Sequence, residues 1–212
     1  MNNIDFSLYL VTDSIRFISE DDLFLAIETA LQNGVTLLQL REKELTSRAF
    51  FERALRVKEL TDKYNIPLII NDRLDIALAV DADGVHLGQS DLPVKEARRI
   101  LGPNKLIGVS AKTLGQALEA EKFGATYLGT GAMNPTTTKV ITQITPLETL
   151  KEICDTVNIP VVAIGGICES NIQNLKDTKI KGIAVVSAIL CQPDVKAATK
   201  RLAKIVKEMI HA

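Results

Sequence analysis

The stretch Pro160-Val161-Val162-Ala163-Ile164-Gly165-Gly166 decides the fold. Its middle is apolar at consecutive positions, so as a strand it has no face for water. Such strands belong under crossover helices, in parallel sheets covered on both sides. The two glycines that follow mark a tight backbone at the strand's carboxyl end. The same pattern recurs in Leu68-Ile69-Ile70 and in Ile183-Ala184-Val185-Val186.

Working outward, strands are expected at Ser7–Thr12, Thr36–Arg41, Pro67–Asn71, Gly84–Leu87, Leu106–Ser110, Thr126–Gly129, Pro160–Ile164 and Gly182–Val186. Helical periods lie between them. Phe50, Phe51, Ala54, Val57, Lys58 and Leu60 share one face, with Arg48, Glu52, Arg56 and Glu59 opposite. Thr145-Pro146-Leu147-Glu148 predicts a helix start, with Thr145 as cap and Pro146 at the first helical position. Val195, Ala198, Leu202, Ile205, Val206 and Met209 predict a closing helix. Strand and helix alternating throughout predict α/β architecture, a single (β/α)8 TIM barrel over residues 1–212. A doubly wound open sheet is the competing arrangement.

The chain has 212 residues, 46% hydrophobic and 24% charged, an ordinary globular balance that suits one domain. Its net charge of −1 lacks the basic excess that nucleic-acid binding needs. No apolar run approaches the roughly 20 residues of a membrane span. The amino-terminal residues show no export signal, and the three cysteines, Cys154, Cys168 and Cys191, have no metal spacing. A reduced, cytoplasmic setting is expected. The sequence allows a homo-oligomer without specifying one.

In either architecture, function collects after the carboxyl ends of the strands. Gln39, Arg41 and Lys43 alternate along the second strand and share a face, while Leu40 points to the helices. Two cations and an amide facing inward suit a phosphate or pyrophosphate. Otherwise this is a fraying strand end, with Arg41 paired to Glu42 or Glu44. Asp72 and Asp91 end adjacent strands and together could bind Mg²⁺, which takes few carboxylates beside phosphate and water. Alternatively, Asp72 pairs with Arg73 and Asp91 caps the helix near Pro93. Pro135-Thr136-Thr137-Thr138-Lys139 offers hydroxyls, amides and a cation, or is a solvated loop. Gly165-Gly166 and the short helix opening at Val186-Ser187 suit a second anion. His86, one of two histidines, is expected to be a satisfied interior residue, and no strong general base can be assembled.

These motifs resemble the thiamine-phosphate synthase family. The matching pieces are Tyr9-Leu10-Val11-Thr12-Asp13, Gln39-Leu40-Arg41-Glu42-Lys43, Asn71-Asp72-Arg73, Asp83 through Asp91, Gly108-Val109-Ser110, Pro135 through Lys139, Gly165-Gly166-Ile167 and Val186-Ser187-Ala188-Ile189. They span the chain from first strand to eighth. The resemblance implies a transferase that joins 4-amino-5-hydroxymethyl-2-methylpyrimidine diphosphate to a thiazole phosphate, releasing pyrophosphate with Mg²⁺. It implies that Gln39, Leu40, Arg41, Glu42, Lys43, Asn71, Ser110 and Lys139 hold the pyrimidine diphosphate. Of these, Arg41, Lys43, Ser110 and Lys139 would be catalytic. Asp72 and Asp91 would bind the metal, and Thr136, Thr137, Thr138, Gly166, Val186 and Ser187 the thiazole phosphate.

The chain departs from the family pattern at Lys112, where His is usual. It also reads Gly131-Ala132-Met133-Asn134 where Gly-Pro-x-aromatic is usual. A related thiazole tautomerase uses His at the position of Lys112, which counts against that rival. Two further readings stay open, a non-catalytic phosphate-binding barrel and a phosphate-sugar epimerase or isomerase.

Overall fold

The computed structural model describes residues 4–135 and 143–210. Strands β1 (Leu8–Val11), β2 (Leu37–Leu40), β3 (Leu68–Asn71), β4 (Gly84–Leu87), β5 (Leu106–Ser110), β6 (Tyr127–Thr130), β7 (Val161–Ile164) and β8 (Gly182–Val185) close into a barrel in chain order. Every neighbouring pair is parallel, and Leu8 opposite Ile183 seals first strand to last. The eight expected strands form within a residue or two of their expected bounds. Closure rules out the open sheet.

The apolar runs divide by alternation. Tyr9, Leu37, Ile69, Leu106, Tyr127, Val162 and Ala184 pack together inside the barrel. Their neighbours Leu8, Leu10, Leu38, Leu40, Ile70, Val85, Ile107 and Ile183 pack outward beneath the helices. Runs apolar at every position are therefore required, because both faces are dry.

The outer layer consists of α1 (Glu20–Leu31), α2 (Ser47–Lys63), α3 (Leu74–Ala79), α4 (Val94–Leu101), α5 (Leu114–Lys122), α6 (Leu147–Thr156), α7 (Ser187–Leu190) and α8 (Val195–Ile210). In α2, Thr46 caps the start by accepting from the Ala49 amide, and Phe50, Ala54, Val57 and Thr61 form the buried stripe. Phe51 and Leu60 are only half-buried, and Lys58 turns its ammonium onto Asp62. In α8 the buried set is Ala198, Thr199, Leu202, Val206 and Met209, close to the expected stripe.

Two local expectations are corrected. The cap of α6 is Pro146, not Thr145, and the helix begins at Leu147. The Thr145 amide donates to the Ala132 carbonyl at 2.8 Å, which holds Thr145 against the loop after β6 and turns its hydroxyl inward. Between β7 and β8 a single 3-10 turn, Ile172–Leu175, stands where an α-helix was expected.

Candidate active site

A cavity of about 570 Å³ opens at the carboxyl ends of the strands. Gln39, Arg41 and Lys43 all line it, as alternation along β2 and its extension requires. The Arg41 amide donates to Thr12 Oγ1 at 2.9 Å, continuing the strand spacing for one residue past Leu40. Its guanidinium stands 3.9 Å from Asp13, whose carboxylate is engaged more closely by Arg16 Nε at 2.6 Å. Arg41 therefore keeps most of its positive field for the cavity. Leu40 and Glu42 face the other way. Leu40 is fully buried against the helices. The Glu42 carboxylate accepts from Arg53 Nη1 at 2.8 Å and Ser14 Oγ at 2.6 Å. Their side chains do not reach the site, because a two-residue period sends them outward.

Asp72 and Asp91 both line the cavity, as does Asn71. Asp72 has φ of 61°, a left-handed conformation costing ordinary residues about 1–2 kcal/mol and, glycine aside, tolerated best by Asn and Asp. Its amide still donates to the His86 carbonyl at 2.9 Å, so the turn lifts the carboxylate over the mouth without leaving the sheet. The Lys43 ammonium bonds that carboxylate. Asp91 Oδ2 accepts from the Gly88 amide at 2.7 Å. Burial, and then the facing Asp72 carboxylate, push the Asp91 carboxyl above its ordinary pKa. The local pairings considered for these two aspartates are not realised: Arg73 binds Asp75 at 2.6 Å, and α4 is capped by Pro93 without a side-chain bond.

These carboxylates fit a divalent cation of the Mg²⁺ kind. They are hard oxygen donors that repel one another, and no cluster of three or more ligating side chains occurs among the described residues. Mg²⁺ commonly completes its shell with water and substrate phosphate.

Beneath the mouth lies a polar floor. Gln39 Nε2 donates to Tyr9 Oη at 2.6 Å, and Tyr9 Oη meets Tyr127 Oη at 2.8 Å. Tyr127 Oη lies 3.2 Å from His86 Nδ1, and His86 Nε2 lies 3.0 Å from Ser110 Oγ. Burial pushes the His86 pKa down to about 4, so the ring is neutral near pH 7. His86 is thus a satisfied interior residue as expected, yet it also lines the cavity. Sequence reasoning does not reach Tyr9, Tyr127 and Asp13 as site residues. The inward register of Tyr9 with Val11 is the available signal for the first.

On the opposite wall, Gly166, Val186 and Ser187 line the cavity. Gly166 has φ of 63°, and a Cβ there would sit 2.5 Å from the Pro135 carbonyl oxygen. Only glycine lets these two backbones meet. Val186 is the residue before α7, whose first amides come from Ser187 onward. Ser110, Lys112 and Ala132 also line the cavity. Lys112 makes no ion pair among the described residues. Thr136, Thr137, Thr138 and Lys139 lie outside the described residues. Among the described residues no helix is long and apolar enough to cross a membrane.

The family model for thiamine monophosphate synthase matches residues 8–189. The chain belongs to this family. It is 55% identical over 200 residues to thiamine-phosphate synthase of Clostridium tetani, covering 94% of this chain and 95% of that protein. The corresponding synthase of Clostridium acetobutylicum is 52% identical over 208 residues, covering 98% of each. Among solved structures, thiamine phosphate pyrophosphorylase from Pyrococcus furiosus superposes with a TM-score of 0.88 at 42% identity, covering 98% of both chains. Membership of the thiamine monophosphate synthase family makes the chain an enzyme and gives the barrel mouth its context.

Proposed function

We propose that the enzyme condenses 4-amino-5-hydroxymethyl-2-methylpyrimidine diphosphate with a thiazole phosphate, giving thiamine phosphate and pyrophosphate. The observation that carries this reading is that Arg41, Lys43, Asp72 and Asp91 line one cavity, two cations beside two carboxylates. Neither a simple binder nor an acid–base isomerase needs that combination.

In the first step the C–O bond between the pyrimidine methylene and the diphosphate breaks, and its electron pair leaves with pyrophosphate. The aminopyrimidine ring delocalises the positive charge left behind. The barrier is then largely the negative charge growing on the leaving group. Arg41 faces that charge as a fork and Lys43 as a point charge, both fixed before reaction begins. Lys139, from the loop outside the described residues, is assigned to the same group. Mg²⁺ held by Asp72 and Asp91 would neutralise pyrophosphate oxygens as a Lewis acid. In the second step the thiazole nitrogen donates its lone pair to the methylene carbon. No proton is removed, which suits a site whose buried histidine is neutral and hydrogen-bonded at both nitrogens.

Gly166, Val186 and Ser187, with Thr136, Thr137 and Thr138, are assigned to the thiazole phosphate. The backbone amides that open α7 and the glycine-flanked loop offer N–H groups rather than charges. Lys112 stands where the tautomerase relative has its histidine, so the tautomerase reading lacks that group. Free Cys154, Cys168 and Cys191 suit a reduced, cytoplasmic setting.

The test is pyrophosphate release with each substrate alone and with both together. Release matched one-to-one by thiamine phosphate, only when both are present, supports the condensation. Isomerisation of a thiazole substrate without pyrophosphate release would replace it with the tautomerase reading.

A further inference from the structure

Gln39 and Ser110 sit on strands β2 and β5, yet one unbroken hydrogen-bond chain joins them through the barrel interior. The links are Gln39 Nε2 to Tyr9 Oη at 2.6 Å, Tyr9 to Tyr127 at 2.8 Å, Tyr127 to His86 Nδ1 at 3.2 Å, and His86 Nε2 to Ser110 Oγ at 3.0 Å. Tyr9 is 2% exposed and Tyr127 fully buried, so water cannot substitute for a missing link. Gly108 makes the crossing feasible: a Cβ there would lie 2.1 Å from Tyr127 Cζ and 2.5 Å from His86 Nδ1.

Proton counting gives this chain a direction. Each tyrosine hydroxyl owns one proton, and the neutral imidazole owns one N–H. Tyr9 accepts from Gln39, so its proton goes to Tyr127. Tyr127 is then an acceptor on one side, and its own proton goes to His86 Nδ1. Were Nδ1 to carry a proton instead, Tyr127 would accept twice and bury an unused O–H. Leaving such a donor unpaired costs about 1–3 kcal/mol. His86 Nε2 must therefore carry the ring proton and donate to Ser110 Oγ. Two consequences reach the cavity: Gln39 keeps its carbonyl oxygen as an acceptor, and Ser110 keeps its own proton as a donor.

We propose that Tyr9, Tyr127 and His86 are positioning residues whose one-way hydrogen-bond chain sets Gln39 as an acceptor and Ser110 as a donor toward the substrate's pyrimidine ring. The inference rests on the proposed function and deepens it. A 4-aminopyrimidine carries an N–H donor on one edge and a ring-nitrogen acceptor, N1, para to it. An acceptor on one wall and a donor on another wall match those two edges. A pyrimidine bearing an oxo group in place of the amine presents an acceptor to Gln39 and is rejected.

The experiment has two readouts on the full-length protein. The first is ¹⁵N NMR of the imidazoles, practicable because His86 and His211 are the only histidines. Wild-type protein is expected to show His86 protonated at Nε2 and bare at Nδ1. The opposite tautomer overturns the proposal. This readout needs no turnover, so it stands even if no thiamine phosphate forms. The second is calorimetric affinity for the pyrimidine diphosphate and for inorganic pyrophosphate, in wild type and in Tyr127→Phe. Loss of one buried link is expected to weaken pyrimidine diphosphate about tenfold while leaving pyrophosphate within twofold. Equal weakening of both, or of neither, overturns the positioning role. Wild type that binds the pyrimidine diphosphate no better than pyrophosphate overturns it too, and the pyrophosphate-release assay then shows whether the proposed function falls with it. Tyr9→Phe breaks the same chain at another link and serves if Tyr127→Phe does not fold.

Discussion

Replacing Arg41 with Gln tests the electrostatic account at its strongest cation. The guanidinium is a quarter exposed and 3.9 Å from Asp13, a carboxylate already bonded by Arg16 at 2.6 Å. Its charge is therefore not cancelled locally. A unit charge about 4 Å from a developing negative charge, at an effective dielectric of about 20, contributes about 4 kcal/mol. Part of this is already felt by the diphosphate in the ground state. A transition-state share of about 3 kcal/mol corresponds to about 10²-fold in kcat. The assay is steady-state turnover with both substrates saturating and Mg²⁺ present. Arg41→Gln is expected to lose about two decades of kcat, and Arg41→Lys, which keeps charge but not the fork, to fall between. Thermal stability should hardly change, since the Asp13 contact is long. Turnover of Arg41→Gln within threefold of wild type would refute the assignment of Arg41 to the leaving group.

Asp91→Ala should raise the Mg²⁺ concentration needed for half-maximal rate by at least tenfold; an unchanged metal titration would leave Asp91 with only its Gly88 bond. Ser187→Ala should change kcat/KM for the thiazole phosphate less than about fivefold, because the proposed contact is made by backbone amides rather than by the hydroxyl. A hundredfold loss would assign the contact to the hydroxyl. Gly108→Ala drives a methyl to within 2.1 Å of Tyr127 and should destabilise by about 1–3 kcal/mol, lowering Tm by about 2–4 °C per kcal/mol. A variant as stable as wild type would mean the ring moves freely.

The barrel was legible because parallel strands buried on both faces leave an apolar run that has no other use, as in Val161–Ile164. Position along each run then located the mouth, and alternation alone brought Gln39, Arg41 and Lys43 to one side. The same alternation argues against Glu42, since a charge out of phase with that row must find its partners elsewhere, here Arg53 and Ser14. Local helix chemistry was less legible. Thr145 has the residue type of a cap, but a backbone bond to Ala132 fixes it elsewhere, and such a long-range tie leaves no local pattern. The floor was hidden for a related reason. Tyr9 and Tyr127 lie 118 positions apart and read singly as core aromatics; only closure of the barrel brings their hydroxyls to 2.8 Å.

The most direct test of the central claim is an endpoint assay of the purified protein with pyrimidine diphosphate and thiazole phosphate, with Mg²⁺ or with the metal chelated. Thiamine phosphate is expected with Mg²⁺ and almost none without it. Folded protein that forms no thiamine phosphate with the metal present, or forms it equally well under chelation, would contradict it.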